Sequence, residues 1–323
     1  MMPVTMRQGP IIFAHRGGSE EAPENTMSAF AHTYEAGIRH VETDAHITAD
    51  GKVVLCHDET VERCYDGTGA IAQMTWRELS KLRHRDSGEQ IPLLAQVLEA
   101  FPDMYFNIDA KEPGVEGPLL DVIADHDAAN RVLVASFSEP RLRSVRDTAA
   151  SDPARAVATS LGTEAVVRLV GAAKSATNPA WWHVPGPRQG AIAAQVPMHQ
   201  GLIRVVDERF VATAHTLGLA VHVWTINTVA DVLRLLEVGV DGIITDRPVF
   251  LRDFLDARGL WTQPPAPGSV SGPRDWGFCW KGRARPGGCA PVNASSFAIG
   301  RPWKLWQCQA TGPCALTLVR QPT

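Results

Sequence analysis

A chain of 323 residues that is 45% hydrophobic and 20% charged carries too much apolar material to remain unfolded, and it is long enough to bury a large core. Its formal net charge of −4 argues against a broad basic footprint for nucleic acid or an anionic membrane. No apolar run approaches the ~20 residues of a membrane-spanning helix and no secretory apolar region precedes Ile11, so a cytoplasmic protein without stable membrane insertion is expected.

From residue 11 onward, short β-rich runs alternate with longer amphipathic stretches, the signature of βα units feeding a parallel sheet. The first run, 11–15, is apolar until His15 and Arg16 stop it. A helical pattern over 24–36 follows and ends at Gly37, where a left-handed glycine would sit. The second run, 40–47, contains Glu42 and Asp44. A short apolar run from Val53 to Cys56 then leads into His57 and Asp58. Residues 59–90 are rich in turn formers and weakly periodic, which predicts a small insertion after the second strand, over the mouth of the sheet. Further strands are expected at 104–111, 132–137, 156–159, 191–195, 221–226 and 242–245. Helices are expected at 93–100, 118–126, 139–148, 164–173, 208–217 and 229–238, the last two followed by Gly218 and Gly239.

Eight strands, with no Gly-x-Gly-x-x-Gly after the first, favour an α/β fold of the TIM (β/α)8 barrel type over an open doubly wound sheet. The barrel is expected over 10–258. Arg141, Arg143 and Arg146 recur at helical spacing and read as a solvated helix face. Residues 259–323 turn to Pro and Gly and read as an irregular tail, yet they hold Trp261, Trp276, Trp280, Trp303 and Trp306 of the chain's nine tryptophans. Cys279, Cys289, Cys308 and Cys314 also lie there, as does Asn293-Ala294-Ser295, read as a chance match to a glycosylation acceptor. Without a Cys-x-x-Cys pair, no structural zinc site is expected.

Polar groups at the carboxyl ends of barrel strands are candidates for function. Glu42 and Asp44 lie two apart in a strand and so face the same way, while Val41, Thr43 and Ala45 face the other. Asp109 arrives from the next strand and completes an all-oxygen set suited to Mg²⁺, Ca²⁺ or Mn²⁺. Spacing alone leaves a second reading open, an internal ion-pair network with Arg16 and Lys111 as partners. His15 and His57, each just beyond an apolar run, can flank a substrate as acid and base. Arg16 offers a fork to phosphate oxygens. His40 and His46 share the face of Glu42 and Asp44 and are read as structural.

The ordered elements His15-Arg16-Gly17, Pro23 to Thr26, Glu42-Thr43-Asp44, His57-Asp58, Asp109-Ala110-Lys111, Val223 to Asn227 and Asp241 to Pro248 resemble the glycerophosphodiester phosphodiesterase family across residues 11 to about 250. That resemblance implies metal-dependent hydrolysis of glycerophosphodiesters to sn-glycerol 3-phosphate and an alcohol. It also implies roles: His15 and His57 as the catalytic acid/base pair, Glu42, Asp44 and Asp109 as metal ligands, and Arg16, Lys111 and Trp224 on the substrate. Glu24 and Asn25 are placed to cap the first helix or to bond to the site. The third ligand, often Glu in the family, is Asp109 here, a carboxylate shorter by about one C–C bond, ~1.5 Å. Two alternatives accompany this reading, a lysophospholipase D acting on lysophospholipids and a catalytically impaired phosphodiester-binding paralogue.

Overall fold

The computed structural model describes residues 9–175 and 177–262, so the tail features from Trp276 onward lie outside the described residues. The chain begins with β1 (Ile11–His15), α1 (Met27–Glu35), β2 (His40–Ile47) and β3 (Val53–Leu55). It continues through α2 (Trp76–Leu79), α3 (Leu94–Ala100), β4 (Tyr105–Ala110), α4 (Glu116–Asp125), β5 (Val132–Ala135), α5 (Glu139–Ser151), β6 (Ala158–Ser160) and α6 (Thr163–Ser175). The remainder is β7 (Ala191–Pro197), the small pair β8 (His199–Gln200) and β9 (Ile203–Arg204), α7 (Glu208–Thr216), β10 (Ala220–Trp224), α8 (Val229–Val238), β11 (Gly242–Thr245) and α9 (Pro248–Asp256).

Eight parallel strands close on themselves: β1 pairs with β11 on one side and with β2 on the other, and the order runs β1, β11, β10, β7, β6, β5, β4, β2. The barrel is therefore complete and the open sheet is excluded. β3 adds to β2 in antiparallel fashion as an edge.

Local chemistry explains the helix limits. The side chains of Thr26, Ser138, Asp207 and Thr228 cap α1, α5, α7 and α8 by accepting a backbone N–H of the first turn. Pro248 opens α9, where its missing N–H leaves no bond unmade. Gly37, Gly218 and Gly239 follow their helices with φ of 81°, 79° and 76°, as expected for left-handed stops.

Two apolar clusters pack helices onto the outside of the sheet, and a third fills the barrel with Ile11, Phe13, Tyr105, Leu133, Ile192 and Ile244 among others. Register stacks this interior in layers. Phe13 is level with His40 and Tyr105, and the His40 ring stacks on Tyr105 with centroids 4.6 Å apart. One layer up, His15 is level with Glu42 and Asn107, and above them Asp44 is level with Asp109. An aromatic plug thus supports two charged layers that open at the carboxyl ends of the strands.

Three expectations change. Residues 59–90 fold around their own small core of Val61, Cys64, Tyr65, Ile71 and Leu79, packed with Val54, Cys56 and Ile91. Weak periodicity there reflects short turns around few apolar anchors. Strands β5 and β10 end at Ala135 and Trp224, short of residues 137 and 226, which leaves Phe137 and Thr225 in mouth loops. Only Arg143 of the three arginines is exposed. Arg146 is buried and ion-paired with Glu139, and it donates to Thr159 Oγ1 at 3.1 Å. Arg141 donates to Ala110 O and Ser136 Oγ, both at 2.8 Å. Helical spacing reports periodicity, but which face turns inward depended on acceptors at the ends of β4 and β6. Among the described residues no helix is long and apolar enough to cross a membrane.

Candidate active site

The chain must leave β1 sharply to bring His15 and Arg16 over the barrel. Arg16 adopts φ of 53° and Gly17 of 84°, and a Cβ at Gly17 would lie 2.7 Å from that of Ala29. Only glycine satisfies both demands at this position. The turn points the Arg16 backbone N–H at Glu42 Oε2, 3.2 Å away, and its guanidinium at Glu24, 3.2 Å away. The guanidinium also approaches Asp44 to 3.5 Å, an ion pair without a formed hydrogen bond.

His15 is held from behind. Its Nδ1 lies 2.5 Å from Asp246 Oδ1, just after β11, and its Nε2 faces Glu42 Oε2 at 3.8 Å. Asp246 in turn accepts from Ser19 Oγ at 2.5 Å and from Asn227 Nδ2 at 2.6 Å. Burial pushes the Asp246 carboxyl up, but these bonds outweigh it and bring it to about 2. Burial likewise pulls the His15 imidazole down, while Asp246 and the negative charge of Glu42 outweigh burial and raise it.

His57 is held differently, by Asp58 Oδ1 at 2.7 Å from Nδ1. Arg63, from the insertion, donates to Asp58 Oδ2 at 2.5 Å and forks onto both Glu24 oxygens at 2.6 and 2.9 Å. The result is one alternating chain of charge, Arg16, Glu24, Arg63 and Asp58, whose last carboxylate holds the His57 ring. Asp58 sits at about 2, chiefly through its bond to Arg63. Thr26 serves as the helix cap, so Glu24 and Asn25 are free for the site. Asn25 donates to Asp44 Oδ2 at 3.1 Å and accepts from Thr43 Oγ1 at 2.7 Å.

The floor carries Glu42, Asp44 and Asp109, all buried, with the Lys111 ammonium 2.7 Å from Asp44 and 2.9 Å from Asp109. Burial raises the Asp44 carboxyl, but Lys111 and then Arg16 outweigh it and hold it low. Glu42 goes the other way: burial first and Asp44 second push it to about 8. Asp109 is also raised, by burial and by the charge of Asp44.

As these side chains stand, no three His, Cys, Asp or Glu groups among the described residues gather into a ligand set. Lys111 instead bridges two of the carboxylates. The donor chemistry nonetheless fits a hard divalent cation: Asp109 Oδ1 is buried without a hydrogen-bond partner, and burial together with the charge of Asp44 pushes Glu42 toward protonation. Both features mark a floor with more carboxylate than Arg16 and Lys111 neutralise.

All eight predicted side chains line one cavity of about 630 Å³. Trp224 closes its far side, with the Phe137 ring edge-to-face at 5.8 Å. The predicted structural histidines are buried, His46 bonding to Glu112 at 3.1 Å. Sequence reasoning left Asp246, Asn227, Ser19 and Arg63 without roles. Asp246 had a usable signal, a carboxylate directly after a barrel strand. Asn107, two residues before Asp109, donates to Gln195 at 3.3 Å and extends the polar interior, as strand alternation allowed.

A profile of the Glycerophosphoryl diester phosphodiesterase family matches residues 15–249. The chain belongs to that family. Within the glycerophosphodiester phosphodiesterases, it is 37% identical to Probable glycerophosphodiester phosphodiesterase 2 of Mycobacterium tuberculosis over 254 residues, 78% of this chain and 93% of that protein. It is 32% identical to Glycerophosphodiester phosphodiesterase of Caldanaerobacter subterraneus over 262 residues, 77% of this chain and 99% of that one. Among solved structures, an Oleispira antarctica phosphodiesterase in complex with the product sn-glycerol-3-phosphate superposes with a TM-score of 0.63 at 25% identity, covering 76% of this chain and 97% of that chain.

Proposed function

We propose that the protein hydrolyses glycerophosphodiesters to sn-glycerol 3-phosphate and an alcohol, with Glu42, Asp44 and Asp109 holding a divalent cation, Mg²⁺, Ca²⁺ or Mn²⁺. The observation that carries the residue roles is the paired arrangement of His15 and His57. Each ring rests its Nδ1 on a carboxylate, which leaves Nε2 for proton transfer beside a floor of three carboxylates and two cations. Family membership supports the reaction.

A phosphate diester resists attack because its charge repels nucleophiles and its alkoxide leaves poorly. Arg16 and Lys111 neutralise the non-bridging oxygens. One histidine takes a proton from the attacking water as the new P–O bond forms. The other delivers a proton to the departing oxygen as the old P–O bond breaks. Asp246 and Asp58 stabilise whichever ring carries the extra proton. A bound cation would draw further charge from the phosphate. Trp224 and Phe137 offer ring faces to the alcohol.

A second reading has one observation in its favour: Phe137, Val166, Val167 and Val170 give the cavity an apolar wall, suited to an acyl chain on a lysophospholipid. Comparing glycerophosphocholine with lysophosphatidylcholine separates the two substrates. Hydrolysis lost with EDTA and restored by Mg²⁺ or Ca²⁺ is the expected result. Full activity after exhaustive chelation would remove the cation from the proposal. On this reading the enzyme serves phospholipid and glycerol metabolism in the cytoplasm.

A further inference from the structure

The side of the mouth remote from the carboxylates is apolar and turned outward. After β7 the chain doubles back in the β8–β9 hairpin, where Gln200 pairs with Ile203 and a two-residue turn, Gly201-Leu202, joins the strands. Gly201 has φ of 57°, the conformation that such tight hairpin turns require. The turn lifts Leu202 fully into solvent, and Ile203 beside it is 59% exposed. On the same side of the mouth Phe137 is 61% and Val167 63% exposed. Ile203, Phe137 and Val167 line the same cavity as His15 and Lys111, so the apolar rim and the charged floor bound one continuous space.

The hairpin has an ordered polarity. At its base His199 pairs in register with Arg204, its tip is Leu202 and Ile203, and no acidic residue occurs from Met198 to Val206. A hairpin with an apolar tip and an arginine at its base matches the profile of a bilayer surface, acyl chains inside and phosphate headgroups outside.

We propose that this hairpin docks the mouth onto a lipid bilayer surface, with Leu202 and Ile203 entering the acyl boundary and Arg204 at headgroup level. The choice of a lipid partner rests on reading the floor as a phosphodiester site, because a surface carrying phosphodiester headgroups over acyl chains addresses rim and floor together. With a net charge of −4 on the chain, apolar insertion rather than electrostatic attraction holds the contact. Binding is therefore reversible and weakly dependent on salt.

The test is co-sedimentation of the full chain with phosphatidylcholine vesicles, with and without phosphatidylglycerol, at low and high salt. Hydrolysis of soluble glycerophosphocholine is measured on the same samples. The native protein sediments with vesicles, and Leu202→Asp lowers the bound fraction by about 10-fold or more, the loss expected for one apolar anchor. Soluble turnover stays within about 2-fold. Leu202→Trp retains vesicle binding and shifts its emission to the blue on addition of lipid. Native protein that stays in the supernatant overturns docking, as does equal sedimentation of Leu202→Asp or a tip that instead mediates self-association without lipid. Vesicle binding without hydrolysis of glycerophosphocholine would leave docking intact and refute the catalytic reading.

Discussion

On the β1, β2 and β4 side of the mouth, His15, Arg16, Asp44, His57 and Lys111 are each tied to at least one charged neighbour, whereas on the β5 to β7 side Phe137 and Val167 stand largely in solvent. Proton transfer, the role proposed for His15 and His57, tolerates little displacement, and that side is held by bonds from the loop before α1, the insertion and the loop after β11. An alcohol of variable structure needs only apolar contact, which the other side supplies without fixed partners. Rigidity is spent where bonds change and withheld where the ligand varies.

Substitutions on the two sides should therefore separate sharply. The largest effect is expected from His15→Ala or His57→Ala, each lowering kcat by about 10²–10⁴-fold. Near-native turnover in either variant would end the assignment. Asp246→Asn keeps the size of the side chain but presents an amide to His15 Nδ1, and a fall in kcat of about 10²-fold with little change in KM is expected. Arg63→Ala, which cuts the chain of charge at its exposed link, should cost less, about 10-fold. Equal losses would show that the two histidines are supported alike. On the apolar side, Phe137→Ala should raise KM only a few-fold while kcat holds, since it removes packing common to substrate and transition state.

The smallest effect concerns acid stability. Asp246 is depressed from 3.8 to about 2, so its stabilising contribution is complete above 3.8 and disappears as pH falls through about 2. After discounting for partial exposure, native protein should exceed Asp246→Asn by about 1–2 kcal/mol in urea unfolding at pH 7. That gap should close between pH 4 and pH 2. A gap that widens on acidification would mean that Asp246 is not the depressed carboxylate.

Much of the charged side was legible in the sequence because it obeys local rules. Strand alternation placed Glu42 with Asp44, and polar residues closing apolar runs marked His15 and His57. Their supports were less visible because they are long-range. Asp246 meets His15 across 231 residues, through the closure of β11 onto β1, and Arg63 meets Glu24 across 39 from a segment with almost no periodicity. The arginines of α5 show the complementary failure. Their spacing was right for a helix, but Arg146 faces inward, where it meets Glu139 two turns earlier on the same helix and Thr159 of β6, an acceptor that only the packed barrel brings there. Register and closure, rather than residue type, carried the missing information.

The insertion has a small apolar cluster of its own and reaches the site through the links from Arg63 to Asp58 and Glu24, the construction expected of a segment that opens by itself. Such a unit can unfold below the free energy of global unfolding, and its opening would take the Arg63 support away from Asp58, and so from His57, while Arg16 keeps Glu24, Glu42 and Asp44 and the barrel strands stay protected from hydrogen exchange. On the proposed roles, catalytic competence and native secondary structure are then two separate thresholds, and heat or denaturant is expected to reach the first before the second.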